Sequence, residues 1–479
     1  MDRPAIEPLP AVSRVSIWKS YLILLYTVAV FGAILIAAQA IISTHNTRWD
    51  LTPGRRFSLS EFDRRVLSGL NQSVKVMAFV RVEDPSYLDL ADLLFQAAAF
   101  SPYLTYQVID VNKAPGLARE YGVSTYGEVI VLSKGRRREF DNSRSDLLIP
   151  ALLQVTAPSD KHIYFTIGHG ERDLFDTDRN LGYSEWRNML EQNNYQIDNV
   201  SLFGGGVPAN TTVLVALGPR KDFLPDELAA IDKYLAGGGR FVALIDPFGS
   251  PSLVALMKKY HLDFTPQVIV DPAYRLSAGE ILTTQIPIRS DENAISRAMA
   301  APAVFSIARG VVIDAAAGAT APGGLLLAQA DSFLKSSYDS WASNDPKAMT
   351  TGITEFQAPR GDIKGPIPVG SEVDYTPAAT PHIPLDKMTR IVGFGNSAFA
   401  SNQFIEMLGN AELATTVINE LAGDEMLIAS RERLNQAATA AFYVSDQETR
   451  NLLILGAIAG PAVLFMIGGA VFARRRYFA

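Results

Sequence analysis

Two long apolar runs bracket the chain. From Tyr21 to Ile42 it reads YLILLYTVAVFGAILIAAQAII, without a charge and with Gln39 as its strongly polar residue. Leu452 to Phe472 reads LLILGAIAGPAVLFMIGGAVF and is also uncharged. At a rise of about 1.5 Å per residue, each is long enough to cross a hydrocarbon core of about 30 Å as a helix. A cleaved signal peptide is the rival reading of the first run. Arg3, Arg14 and Lys19 form a basic leader, and Ala38-Gln39-Ala40 has the small-x-small form of a cleavage site. The run continues past that site and exceeds the roughly 7–15 residues of a signal core, which favours an anchor. Arg474-Arg475-Arg476 closes the second run with a positive-inside signal. Arg48, Arg55 and Arg56 weaken the charge bias at the first run, so the triple arginine sets the orientation. The pattern predicts a cytoplasmic segment 1–20, a span 21–42, a span 451–473 and a cytoplasmic tail 474–479, with the body outside the cytoplasm.

Between these runs the apolar spacing shortens to the lengths of strands and helices. Val74–Val80 is a strand-length run, after which Leu88, Leu90, Leu93, Leu94 and Ala97 mark a helix-period segment. A strand at Tyr106–Val111, a short helix at Pro115–Tyr121 and a strand at Glu128–Leu132 follow. The last strand turns at Lys134-Gly135 into the basic Arg136–Arg138. This order predicts a small α/β domain over 43–155.

A second α/β pattern covers 156–430. His162–Ile167 reads as a buried strand that breaks at Gly168-His169-Gly170-Glu171. Ser184 is placed to N-cap a helix at Glu185–Gln192, with Trp186, Met189 and Leu190 facing inward. Strands at Tyr195–Leu202 and Thr211–Leu217 precede a helix opened by Pro225, with Asp226 and Glu227 in its first turn. Leu224, Leu228, Ile231 and Leu235 fall at helical spacing, and Gly237–Gly239 stops the helix. Arg240–Ile245 is the next strand, ending at Asp246-Pro247. Such alternation predicts a doubly wound sheet with helices on both faces. From about 271 to 384 the pattern dissolves into Pro, Gly, Ala and Ser and reads as a loop-rich insertion, most of all across Asp331–Gly370. Thr389–Phe394 resumes the strand pattern, followed by the turn Gly395-Asn396-Ser397 and a helical stretch from Asn402 to Leu421. Residues 431–450 read as a polar juxtamembrane linker.

Composition narrows the chemistry. The 479 residues suffice for two or three domains, and the hydrophobic share of 48% is raised by the two end runs. A net charge of -7 without basic clusters in the body argues against nucleic acid as a partner. The chain has no cysteine, which excludes disulfides, thiol catalysis and cysteine metal sites. His45, His162, His169, His261 and His382 show no paired metal spacing, so no metal is expected. Gly204–Gly206 and Gly237–Gly239 lack the Lys and Ser/Thr of a phosphate loop, so no cofactor is expected. Arg136–Arg138 reads as a solvated hairpin turn, with an acidic partner or lipid headgroups as the alternative.

Asp110–Val123 (DVNKAPGLAREYGV) resembles the centre of a thioredoxin-like fold, but there is no C-x-x-C and Thr125-Tyr126-Gly127 stands where such folds carry a cis-proline. The resemblance implies a binding or spacer scaffold without redox work. A wider resemblance runs along the chain. It is carried by Asn46–Ser60 (NTRWDLTPGRRFSLS), Gly168–Glu171, Gly218-Pro219, Tyr234–Gly239, Gly395–Asn402 and Asn419–Asp424, in that order between the two apolar runs. Together these segments are similar to the auxiliary proteins of ABC-type transport systems, the GldG-like group. That resemblance implies ABC permease and ABC ATPase partners. It also implies a bacterial inner-membrane anchor with a periplasmic body, and a glutamine-amidotransferase-like second domain without the catalytic cysteine. Membrane lipid is then a further partner, and the ligand is unassigned.

His169 and Glu171 follow a strand's end, where open α/β sheets bind ligands, and Asp246 occupies the same kind of position. With Asn396 and Ser397 they form the candidate ligand site. The plainer reading makes them turn formers and helix caps. No catalytic residue is assigned. A Ser397–His169–Asp246 triad can be drawn, but Phe399 stands where a G-x-S-x-G elbow needs its last glycine. An envelope scaffold without a transporter is the other alternative.

Overall fold

The structure, a computed structural model, describes residues 59–81, 86–123, 125–157, 161–276, 282–286, 293–316, 318–345, 355–378, 387–424, 426–430 and 432, with scattered positions between 18 and 37. The chain divides into two compact units, Met1–Arg55 and Arg56–Ala479. In the first, the described positions are helical, and Leu22, Leu25, Phe31 and Ile36 expose their apolar side chains. Among the described residues no helix is long and apolar enough to cross a membrane. The second apolar run, the basic tail, nearly all of the linker 431–450 and residues 43–58 lie outside the described residues.

In the second unit Ser60 starts helix α1 (Glu61–Ser68) with a reciprocal cap. Its hydroxyl accepts from the Asp63 N–H, and the Asp63 carboxylate accepts from the Ser60 N–H. There follow β1 (Val74–Val80), α2 (Ser86–Phe100), β2 (Leu104–Asp110), α3 (Pro115–Glu120), β3 (Glu128–Ser133), β4 (Arg136–Asp141) and α4 (Leu148–Thr156). The strands form a sheet in the order β2-β1-β3-β4, with β1 parallel to β2 and the other pairs antiparallel. Burial on both faces explains the unbroken apolar run of β1. Val74, Val76 and Ala78 pack with Leu67, Leu94 and Leu152 from α1, α2 and α4, while Met77 and Phe79 meet Ile109, Ala118 and Ile130.

The basic run is corrected from a solvated turn to an edge strand, because each arginine finds an internal acceptor. Arg136 donates to the Val155 and Ala157 carbonyls at the end of α4, where unpaired acceptors favour a cation. Arg137 pairs with Glu128 and Glu139. Arg138 donates to the Gln192 carbonyl, and burial lowers its pKa.

The rest of the unit contains β5 (His162–Thr166), α5 (Ser184–Gln192), β6 (Gln196–Val200), β7 (Thr211–Leu217), α6 (Pro225–Ala236), β8 (Arg240–Leu244), α7 (Pro251–Lys259) and β9 (Leu262–Val270). It continues with β10 (Thr283–Ile286), α8 (Ala294–Arg297), β11 (Ala303–Ser306), β12 (Arg309–Ile313), β13 (Thr320–Ala321) and β14 (Leu325–Lys335). It closes with β15 (Trp341–Ser343), β16 (Ile363–Lys364), β17 (Pro368–Pro377), β18 (Thr389–Phe394) and α9 (Asn410–Leu421). Eight strands form one sheet in the order β13-β14-β17-β18-β8-β7-β5-β6, parallel from β18 to β6 and antiparallel from β13 to β18. One face buries Phe165, Val215 and Leu244 against Trp186, Leu190 and Ile418 of α5 and α9. The other buries Leu214, Ala216 and Ala243 against Ile231, Leu235, Leu253 and Met257 of α6 and α7. The protein is therefore α/β, with helices on both faces of its main sheet.

Three sequence expectations change. The stretch read as a loop-rich insertion supplies β13, β14 and β17 to the main sheet, and β12, β15 and β16 to a second sheet, β12-β9-β15-β16. It forms strands because its polar residues are paired inside: Ser371, Glu372, Asp374 and Thr376 of β17 are all buried. Ser184 is the first residue of α5 and not its cap. Asn402, ahead of α9, serves that end instead, its Oδ1 accepting from the Glu185 N–H at 3.0 Å and its Nδ2 donating to Ser184 Oγ at 3.1 Å. Leu224 is half exposed at the start of α6, where its N–H donates to Glu227 Oε2 at 2.8 Å.

Arg390 of β18 holds three carboxylates in the interior. Its guanidinium donates to Glu372 Oε1 at 2.7 Å, to Asp374 Oδ1 at 3.2 Å and to Glu420 Oε1 at 2.9 Å. Asn293 Nδ2 donates to the other oxygen of Glu372 at 2.9 Å. Burial, and then the Asp374 charge, push the Glu372 carboxyl up to about 7. A carboxyl raised on folding contributes stability below its ordinary value of 4.5, and that stability is lost as pH rises through about 7. The difference in unfolding free energy between the protein and its Glu372→Gln variant is expected to drift by about 3 kcal/mol between these limits. Denaturant melts at pH 4.5 to 8 measure it, and a constant difference refutes it.

Candidate functional site

The parallel strands β5, β7, β8 and β18 end together, and the loops that leave them build the site. The sheet order reverses between β5 and β7, since β6 lies to one side of β5 and β7 to the other. Splayed loops at such a reversal leave a crevice. The Arg172 N–H donates to the Leu217 carbonyl, and the Arg220 and Lys221 N–H groups both donate to the His169 carbonyl. The loops after β5 and β7 are thereby stitched together across the reversal.

The five candidate residues fall into two hydrogen-bonded groups. In the first, His169 Nδ1 lies 3.0 Å from Glu171 Oε1 and its Nε2 lies 2.8 Å from Glu227 Oε2. Both imidazole nitrogens thus face carboxylates. The ring stacks on Phe223 at 3.8 Å. Glu171 also accepts from the His169 N–H at 2.6 Å and from Thr166 Oγ1 at 3.1 Å, which fixes the turn after β5.

In the second group Asp246 accepts from the Ser397 N–H at 2.6 Å and from Ser397 Oγ at 2.9 Å. Tyr183 places its hydroxyl 3.2 Å from the Ser397 carbonyl, and burial pushes that phenol up to about 12. Asn396 donates to the Ser306 and Ile307 carbonyls and accepts from the Phe399 N–H. Two glycines allow this packing. Gly218 has φ +63°, and a Cβ there would lie 2.7 Å from Ser397 Oγ; at Gly395 a Cβ would lie 1.8 Å from the Arg309 carbonyl oxygen.

A cavity of about 400 Å³ opens beside the second group, lined by Arg172, Arg220, Asp246, Phe248, Ser306 and Asn396, among others. Asp246 and Asn396 of the candidate set reach it; His169, Glu171 and Ser397 do not line it. The drawn triad is not assembled. Both ring nitrogens of His169 are engaged by glutamates, while Ser397 Oγ donates to Asp246, so His169 does not serve the hydroxyl as base. Among the described residues no group of His, Asp and Glu side chains could hold a metal ion. Arg172 and Arg220 are outside the candidate set drawn from the sequence. Arg172 directly follows Glu171, and Arg220 follows Gly218-Pro219, so the strand-end argument that picked out Asp246 also reaches both.

Solved structures similar to parts of the chain include the following three. The N-terminal domain of mmIFT52 is 15% identical, with 55% of this chain and 97% of that chain covered and a TM-score of 0.38. A ThuA-like protein from Parabacteroides merdae is 11% identical, with 55% and 90% covered and a TM-score of 0.33. The NTD_N/C domain of alkylhydroperoxide reductase AhpF from Enterococcus faecalis is 17% identical, with 30% and 81% covered and a TM-score of 0.20. No curated protein matches the chain. Residues 160–299, which run from β5 to α8 and include His169, Glu171, Arg172, Arg220 and Asp246, match the family described as an ABC-type uncharacterized transport system. Over this segment the chain is similar to the auxiliary proteins of ABC-type transport systems.

Proposed function

We propose that the protein is a non-catalytic, substrate-recognising auxiliary subunit of an ABC-type transport system, working with an ABC permease and an ABC ATPase. The observation that carries this reading is the family match over residues 160–299, the segment that supplies three of the four strand ends around the crevice. The chain has no phosphate loop of its own, so ATP hydrolysis falls to a partner. The engagement of His169 by two glutamates speaks against a hydrolase built on Ser397.

The two charge-free runs anchor the chain in the bacterial inner membrane, with both termini in the cytoplasm and the body in the periplasm. The exposed apolar side chains of Leu22, Leu25, Phe31 and Ile36 support a lipid-facing helix at the first run. In this arrangement the four-stranded domain is a thioredoxin-like spacer without redox groups. The larger domain is amidotransferase-like, without the catalytic cysteine.

The test is a pull-down of the tagged full-length chain from gently solubilised membranes, with co-purifying proteins identified by mass spectrometry. A polytopic permease and an ABC ATPase in fixed proportion are expected. Recovery of the folded chain alone overturns the transporter role and leaves an envelope scaffold.

A further inference from the structure

The cavity at the strand ends carries more cationic hydrogen-bonding capacity than the protein uses. Arg172 approaches Asp246 with one terminal nitrogen at 3.8 Å, while its Nε is buried and has no hydrogen-bond partner. A buried guanidinium donor left unpaired is costly, while the side chain as a whole remains 24% exposed, at the cavity. Arg220 lines the same cavity, is exposed, and makes no side-chain hydrogen bond or ion pair among the described residues. Asp246 is the one carboxylate among the lining residues, and Ser397 already donates to both of its oxygens. Of the other polar lining groups, Asn396 donates to backbone carbonyls, and the Ser306 hydroxyl accepts from Thr283 Oγ1 at 3.2 Å.

Phe248 adds an apolar element. It holds φ +64°, a left-handed backbone unusual for a bulky residue, and its side chain is 70% exposed at the cavity. An aromatic face in a strained backbone at a cavity, beside unsatisfied guanidinium groups, matches a ligand with an anionic end and an apolar body.

We propose that this cavity binds a small organic carboxylate, its carboxylate taken by Arg172 and Arg220 and its apolar body lying against Phe248. Guanidinium forks suit the planar carboxylate through paired N–H bonds. The two arginines set against Asp246 leave the cavity one positive charge in excess, which a monoanion neutralises. The inference goes beyond the subunit role, because binding is read on this chain alone and the pull-down reads its partners. A null result in one leaves the other standing.

The experiment titrates the full-length protein in detergent with benzoate, benzamide and inorganic phosphate, followed by calorimetry and thermal shift. Benzoate is expected to bind and to raise the melting temperature, with affinity falling as salt is added, while neutral benzamide does not bind. Arg220→Ala is expected to weaken benzoate by about tenfold or more without lowering the melting temperature of the unliganded protein. Arg172→Ala is expected to weaken it too, and because Arg172 also packs beside Asp246, the exposed Arg220 supplies the decisive variant. The proposal is overturned by absence of benzoate binding, by equal binding of benzoate and benzamide, or by unchanged affinity in Arg220→Ala. Binding of phosphate without benzoate also overturns it, because the site then takes an inorganic oxyanion.

Discussion

Replacing Arg390 by methionine is expected to lower the stability of the folded body by about 3–5 kcal/mol, because it leaves buried carboxylates without their cation. Arg390 lies on β18, between the antiparallel β17 and the parallel β8, and is 7% exposed. Glu372 and Asp374, its neighbours on β17, are 6% and 4% exposed, and Glu420 reaches in from α9. Methionine fits the aliphatic space, so the loss comes from charge and hydrogen bonding and not from a clash. Urea unfolding of the full chain in detergent measures the effect. A second variant separates charge from packing: adding Glu372→Gln and Asp374→Asn to Arg390→Met removes two of the buried carboxyl groups left without their cation and is expected to restore much of the loss. A cost below about 1 kcal/mol for the single substitution, or no recovery in the triple variant, refutes the account.

Trp186→Ala is expected to cost about 3–5 kcal/mol, through the cavity it opens between the main sheet and its helices. Trp186 is 1% exposed on α5 and meets Phe165 of β5 edge to face, with ring centroids 5.5 Å apart at 89°. Its indole N–H donates to the Ala414 carbonyl of α9 at 3.2 Å, so one side chain joins a strand and two helices. Trp186→Phe keeps most of the volume and loses the N–H, and should therefore cost less. The same unfolding experiment checks both variants. Equal costs would place the effect in the hydrogen bond and refute the cavity argument.

How far the sequence discloses this architecture depends on where side chains end up. β5, β7, β8 and β18 are covered on both faces, so they read as apolar runs bounded by glycine, proline or aspartate. β17 is also interior, but Glu372 and Asp374 on one face and Ser371 on the other are polar, and their partners, Arg390, Asn293 and Ser332, lie elsewhere in the chain. No local pattern announces such a strand, which is why the stretch from 271 to 384 reads as loop. β15 and β16 contain only three and two residues, too short for any periodicity to register. α1 is absent from the elements read in the sequence, because half of its eight residues, Glu61, Asp63, Arg64 and Arg65, are charged and leave few apolar positions to mark a period. The cap of α5 was out of reach, because Asn402 arrives from 217 positions away.

The candidate site was legible to the extent that strand ends were. His169, Glu171, Asp246, Asn396 and Ser397 all follow such ends, as do Arg172 and Arg220. What the sequence withholds is the sorting. The separation of His169 with its two glutamates from Asp246 with Ser397 depends on side-chain direction and on α6, which presents Glu227 to the imidazole.

The long excursion between β8 and β18 also sets an order of events during synthesis. The small sheet has all four of its strands by residue 141, and its pairings are local. β8 ends at residue 244, but its neighbour β18 begins at residue 389, so the edge of β8 stays open while the intervening chain is made. Distant pairings of this kind fold slowly and leave strand edges able to bind other chains. The nascent protein thus carries a finished amino-terminal module beside a half-built sheet, and its yield in a cell rests on how well that waiting edge is shielded from other newly made chains.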